Sequence, residues 1–155
     1  MRWIALLLSL SAMTAHAANN ELSVSVASGS DEPVLYTFPI DGARHELDLR
    51  ESHTYSAAFK DPATKRDICR AGEYKTGLLL KMRLLPVTEN GAQPVEVIGQ
   101  VSTLAGIKDG ISLPCGVNQE LNITNTAFSD TVQVERKRTK VVVVDGTYAV
   151  MLKTQ

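Results

Sequence analysis

TGLLLKMRLLPVTENGAQPVEVIGQVSTL, running from Thr76 to Leu104, is the stretch whose reading decides the fold. Asn90-Gly91 separates two alternating apolar runs. That dipeptide favours a type I′ hairpin turn, which needs positive φ at both central residues. A two-residue turn there sets Leu84 opposite Val97, Met82 opposite Gly99 and Leu80 opposite Val101. Leu78, Leu80, Met82 and Leu84 then share one face with Val95, Val97 and Val101, because side chains alternate with period two. The other face carries Lys81, Arg83, Glu96, Gln100 and Ser102, mixed with Leu79, Leu85 and Ile98. On it Lys81 neighbours Gln100, and Leu85 neighbours Glu96. Pro86 and Pro94 lack the N–H a ladder needs, so the turn end is expected beyond the sheet or at an edge.

The flanking sequence repeats the pattern. Glu21–Ala27 alternates Leu22, Val24 and Val26 with Ser23 and Ser25. Val34–Ile40 and Ala43–Leu49 flank Asp41-Gly42 and read as a second hairpin, with Leu47 and Leu49 inward. Thr54–Phe59 is a further short strand, and Asp61–Asp67 a polar loop. Ala105–Gly110 reads as a turn before Ile111–Leu113, with at most one helical turn over Thr103–Ile107. Pro114-Cys115-Gly116 is a corner. Glu120–Asn125 and Thr131–Glu135 alternate, and Thr139–Val144 with Thr147–Lys153 flank Asp145-Gly146, pairing Val143 with Tyr148 and Val141 with Val150. Nine or ten closely spaced strands without a capped helical stripe predict an all-β chain, an antiparallel β-sandwich or small barrel built from hairpins.

Ahead of this lies an export signal. Arg2, the apolar run Ile4–Met13 and Ala15-His16-Ala17 have the order of a signal peptide over residues 1–17, leaving a single β domain at 18–155. The apolar run is shorter than the ~20 residues of a membrane span, and no second one follows, so no transmembrane segment is expected in the mature chain. A periplasmic or secreted location follows. With Arg2 removed, 15 basic side chains face 17 acidic ones, a balance that excludes nucleic acid as the main partner. Trp3, the single Trp, leaves with the leader. Cys69 and Cys115 both remain, and in an exported chain they read as one disulfide.

Candidate chemistry is sparse. His45, Glu46, Asp48, Glu51 and His53 are the densest set of metal-ligand types. In an extended strand the two histidines lie far apart unless a turn at Arg50–Ser52 folds them together, so no metal or other cofactor is expected. The sequence has no G-x-S-x-G, H-E-x-x-H or glycine-rich phosphate loop, and it reads as a non-enzyme. Arg136, Lys137, Arg138 and Lys140 form the one basic cluster. It is a candidate patch for an anionic partner, though a turn and a charged strand edge that blocks unwanted sheet pairing account for it more simply.

From Gly77 onward the order of features resembles the membrane-ring β domain of bacterial secretins. The resemblance rests on Gly77, Leu80, Met82 and Pro86, then Asn90-Gly91, then Val95, Val97, Val101 and Ser102, and finally Arg138, Val141, Val143 and Asp145-Gly146. It covers about half the mature chain. After Asp145-Gly146 the chain lacks the Gly-Gly-Leu continuation of that family, and the cysteine pair is foreign to it. The resemblance implies a small envelope protein whose hairpins resemble those of secretion or pilus machinery, not a secretin itself, and it carries over no functional residue. With the export signal and the lack of a catalytic motif, it leads to the expectation of a binding or assembly module accessory to a pilus, secretion or conjugation apparatus, with a protein partner in the cell envelope. The alternative expectation is a disulfide-stapled periplasmic or secreted inhibitor of a lysozyme or protease, inserting the Asp61–Asp67 or Gly106–Gly110 loop into a cleft.

Overall fold

The computed structural model describes residues 21–154, so the expected signal peptide lies outside the described residues. Eight strands occupy that span: β1 (Glu21–Ser28), β2 (Val34–Pro39), β3 (Arg44–Lys60), β4 (Asp67–Leu84), β5 (Gln93–Leu113), β6 (Gly116–Val134), β7 (Thr139–Val144) and β8 (Tyr148–Thr154). They form two antiparallel four-stranded sheets, β2-β1-β8-β7 and β3-β4-β5-β6. The architecture is a β-sandwich.

Alternation builds the core. Leu22, Val24, Val26, Val150 and Leu152 from the first sheet meet Leu78, Leu80, Met82, Val95, Val97 and Val134 from the second. Burying one such side chain contributes about 1.5–3 kcal/mol. Phe128, opposite Gly99 on β5, lays its ring where a β-carbon on Gly99 would stand. Tyr55 does the same over Gly72 across the β3–β4 pair.

The long hairpin forms, with its apolar face as expected but in a different register. Leu84 pairs with Val95, Met82 with Val97, Leu80 with Gly99 and Leu78 with Val101, while Lys81 faces Ile98 and Gln100 faces Leu79. Two insertions account for the shift. Gly91 N–H donates to Thr88 O, and only Gly91 of the two turn residues has positive φ, so the turn is not type I′. Thr88 then pairs with Ala92, but Leu85 with Pro94, so Pro86 and Val87 stand opposite Gln93 alone. A slip of two residues preserves the face. Pro94, expected past the sheet or at an edge, lies buried inside β5, where it pairs with Gln133 of β6.

Other expectations fail, among them Glu120–Asn125 and Thr131–Glu135 as separate strands, since β6 runs unbroken from Gly116 to Val134. Asp41-Gly42 is not a hairpin turn: β2 pairs with β1, and β3 crosses to the other sheet. Thr54–Phe59 is not a separate strand, because β3 runs unbroken over 17 residues. Ala105–Gly110 is neither turn nor helix; β5 continues through it, absorbing its glycines as irregularities between Leu104 and Gly106 and between Asp109 and Ser112. In the last hairpin Asp145 and Gly146 both take positive φ, yet Val144 pairs with Tyr148 and leaves Thr147 unmatched, its carbonyl accepting from Gly29 N–H. This slip of one residue turns Val142 and Val144 inward and leaves Val141 and Val143 outside.

The second sheet outruns the first. The β4–β5 ladder ends at the Gly77–Ser102 pair, while β3–β4 and β5–β6 continue as two ribbons for about 30 Å. At their tips the ribbons rejoin. Cys69 and Cys115 form a disulfide, as read from the sequence, and Ser56 and Ala58 N–H donate to Gln119 and Asn118 side-chain oxygens.

Candidate functional site

The two outward faces of the sandwich differ in kind. On the longer sheet, Glu46 meets Lys81 at 3.1 Å, Asp48 meets Arg50 at 2.7 Å, and Arg44 and Arg83 both reach Glu96, at 2.9 and 3.3 Å. The Arg50 guanidinium holds the Asp48 carboxyl well below the usual carboxylate range. The result is a solvated, self-neutralised surface.

On the shorter sheet the register aligns rows of small and apolar groups. Leu35, Ser25, Met151 and Val141 form one row, and Ala27, Ala149 and Val143 the next. Leu35 is 66% exposed, Val141 52% and Val143 67%. The row of Thr37, Ser23, Lys153 and Thr139 borders them and supplies the single charge among these rows. An outward face without ion pairs, carrying exposed apolar side chains on both edge strands, is the kind of surface that marks interaction sites.

The basic cluster flanks one corner of this face. Arg136, Lys137 and Arg138 occupy the β6–β7 turn, where Lys137 takes positive φ and its N–H donates to Thr154 O. Arg138 pairs with Glu135 at 3.0 Å. Lys140 lies on β7, and Lys153, which the sequence reading passed over, stands opposite Thr139. The opposite end is acidic, with Asp145 in the β7–β8 turn, and Asp31 and Glu32 in the β1–β2 connection joined to it through the Gly29–Thr147 hydrogen bond. The first sheet is therefore polarised along its strands.

The histidine set does not converge. His45 and His53 are eight residues apart on an unbroken strand, about 26 Å. His45 lies 3.1 Å from Asp41 Oδ1 and against the Phe38 ring; His53 bonds Thr76 Oγ1 at 2.7 Å and stacks on Tyr74. Among the described residues no three His, Cys, Asp or Glu side chains gather to hold a metal ion. A cleft of about 480 Å³ opens where the ribbons leave the sandwich, lined by Val34, Leu49, Glu51, Thr76, Gly77 and Tyr148, with Asp31 and Glu32 at its side.

At the far tip, the Asp61 carboxylate accepts from Thr64 Oγ1 at 2.6 Å and Ala63 N–H at 2.9 Å, bonds that hold it below its ordinary value. Lys65 N–H donates to Asp61 O and Asp61 N–H to Arg66 O, so the loop is braced from within. The other candidate insert, Gly106–Gly110, is strand.

No family model, curated protein or solved structure matches this chain. No helix among the described residues is long and apolar enough to cross a membrane.

Proposed function

We propose that this chain is an exported, non-enzymatic binding or assembly module of the bacterial cell envelope, periplasmic or secreted, accessory to a pilus, secretion or conjugation apparatus. The observation that carries the reading is the outer face of the shorter sheet, where Leu35, Met151, Val141 and Val143 stand without the ion pairs that cover the other sheet. Such a face fits a protein partner, and Arg136, Lys137 and Lys140 at its corner fit an acidic margin on that partner. The export signal and the secretin-like order of Gly77, Pro86, Asn90-Gly91 and Asp145-Gly146 support the placement in the envelope. The test is a photo-crosslinking residue at Leu35 in a tagged chain expressed in cells, with Glu46 on the ion-paired face as control. A crosslink to an envelope protein from Leu35 alone is expected; none from Leu35, or equal yields from both, overturns the reading.

A second reading, an inhibitor of a lysozyme or protease, is favoured by the braced Asp61–Arg66 loop standing at a disulfide-tied tip. A rigid projecting loop enters a cleft with little ordering cost. Inhibition of a muramidase or protease that Asp61→Ala abolishes supports it; no inhibition at micromolar protein rejects it.

A further inference from the structure

β7 has one strand partner, β8, so its other side presents unpaired backbone groups. Of the other three edge strands, β2, β3 and β6, two carry guards. β2 lies between Pro33 and its own terminal Pro39, and the far part of β3 has Ser56 and Ala58 N–H engaged by Gln119 and Asn118. β7, Thr-Lys-Val-Val-Val-Val, has no proline, no bulge within its six residues and one charge, Lys140. Natural edges with this composition aggregate unless something covers them.

We propose that the cover is a second copy of the same strand, paired antiparallel about a two-fold axis at Val142 to give a continuous eight-stranded sheet. Charge identifies the occupant. β7 runs from a basic end, with Arg136, Lys137 and Lys140, to an acidic residue, Asp145, in the turn that follows it. Antiparallel pairing of two copies sets each basic end beside the other's acidic end, so the edge is complementary to itself. Side-chain parity fixes the register. Residues directly opposite in an antiparallel pair share a face, and Thr139, Val141 and Val143 point outward. Centred on Val142, each exposed Val141 meets the other copy's Val143, and Lys140 falls one residue from the other copy's Asp145. Centring on Val141 or Val143 leaves one of the two valines opposite Thr139 or Asp145. The dimer is inferred from the edge alone and stands or falls apart from the envelope role, whose test reads the β2 side at Leu35.

The experiment is sedimentation velocity on the mature, disulfide-intact chain over a concentration series, with amide exchange read at low and high concentration. The expected result is a concentration-dependent dimer that weakens with salt, with added protection at 139–144 and none at 34–39. Val143→Lys, at an exposed site that leaves the circular dichroism unchanged, raises the dimer dissociation constant about tenfold or more. Lys140→Glu also weakens the dimer. A monomer up to the millimolar range overturns the proposal, as does a dimer indifferent to Val143→Lys. Protection at 139–144 that appears only on adding envelope extract overturns it too, since the edge then takes a foreign strand.

Discussion

The Gln93 side-chain amide donates to the carbonyl oxygen of Leu85, the acceptor that a backbone N–H at position 94 would otherwise serve. Leu85 and Pro94 face each other across β4 and β5. Leu85 N–H donates to Pro94 O at 2.9 Å, but the proline has nothing to return. Gln93 is 7% exposed and supplies the missing donor from its side chain while also donating to its neighbour's carbonyl, Pro94 O. The ladder is closed by a side chain, which is how a buried proline sits between two partner strands.

The pair makes a thermodynamic cycle. Gln93→Leu leaves Leu85 O without its donor and is expected to cost about 1–3 kcal/mol in urea unfolding. Pro94→Ala restores the backbone donor, so the same Gln93→Leu change in the Pro94→Ala background is expected to cost clearly less. Equal losses in both backgrounds refute the substitution of side chain for backbone.

Gly77 marks the point where the sheet divides, and its requirement is steric. Its φ is +120°, and a β-carbon there would stand 2.8 Å from Leu49 O and 3.0 Å from Arg50 Cα, both backbone atoms of β3. Gly77→Ala must part β3 from β4 just where β5 leaves, at an expected cost of about 2–4 kcal/mol. Gly106→Ala is the control: no atom lies within 4 Å of the added carbon, and a change within about 0.5 kcal/mol is expected. A Gly77→Ala protein as stable as the control refutes the close approach.

What could be read in the sequence was whatever depends on period two and local chemistry. The inward set from Leu78 to Leu84 survives an error of two residues in register because the face repeats every two. The same arithmetic is unforgiving at Val141–Val144. Four identical residues give no alternation, so which valines face out is decided by the unmatched Thr147, whose N–H closes the turn on Val144 O and whose carbonyl accepts from Gly29 N–H. Asp41-Gly42 carries the same hairpin signal as Asp145-Gly146, yet its flanking strands part to different sheets. A turn dipeptide specifies a local reversal, not the identity of the strand beyond it. The polarity of the first sheet was out of reach for the same reason, since only strand pairing sets Lys153 at the end of the β6–β7 turn and Asp31 and Asp145 at the other.

The Cys69–Cys115 disulfide ties ribbon tips rather than the core, and that location sets its effect. Closing a loop of 46 residues has a chain-entropy worth of about 4 kcal/mol as an upper figure. The core residues of β1, β8 and the inner ends of β4 and β5 lie beyond Gly77 from the bridge. Reduction is therefore expected to open the ribbons first. Amide exchange at 50–60, 67–76 and 104–126 should quicken while 22–26, 78–84 and 150–152 stay protected. Uniform loss of protection across both groups would show that the tip and the core unfold as one unit.

Acid should loosen the tip loop through Asp61. Its carboxyl is held below the ordinary 3.8 by hydrogen bonds from Thr64 Oγ1 and Ala63 N–H, both of which favour the ionised form. A folded-state value below the unfolded one means that the unfolded chain takes up its proton first. The stabilisation is complete above the unfolded value and is lost as pH falls through the folded one. Protection of the Ala63 amide is therefore expected to hold down to about pH 4 and to decline as the pH falls below it. Asp61→Asn keeps an acceptor oxygen without the titrating proton, so its Ala63 protection should be weaker at neutral pH and flat across the same range. Asp48, held low chiefly by Arg50, follows the same sign, so Arg50→Gln should raise the Asp48 titration midpoint without altering the Ala63 profile. An Ala63 amide whose protection in the parent chain ignores pH would show that the carboxylate does not brace the loop.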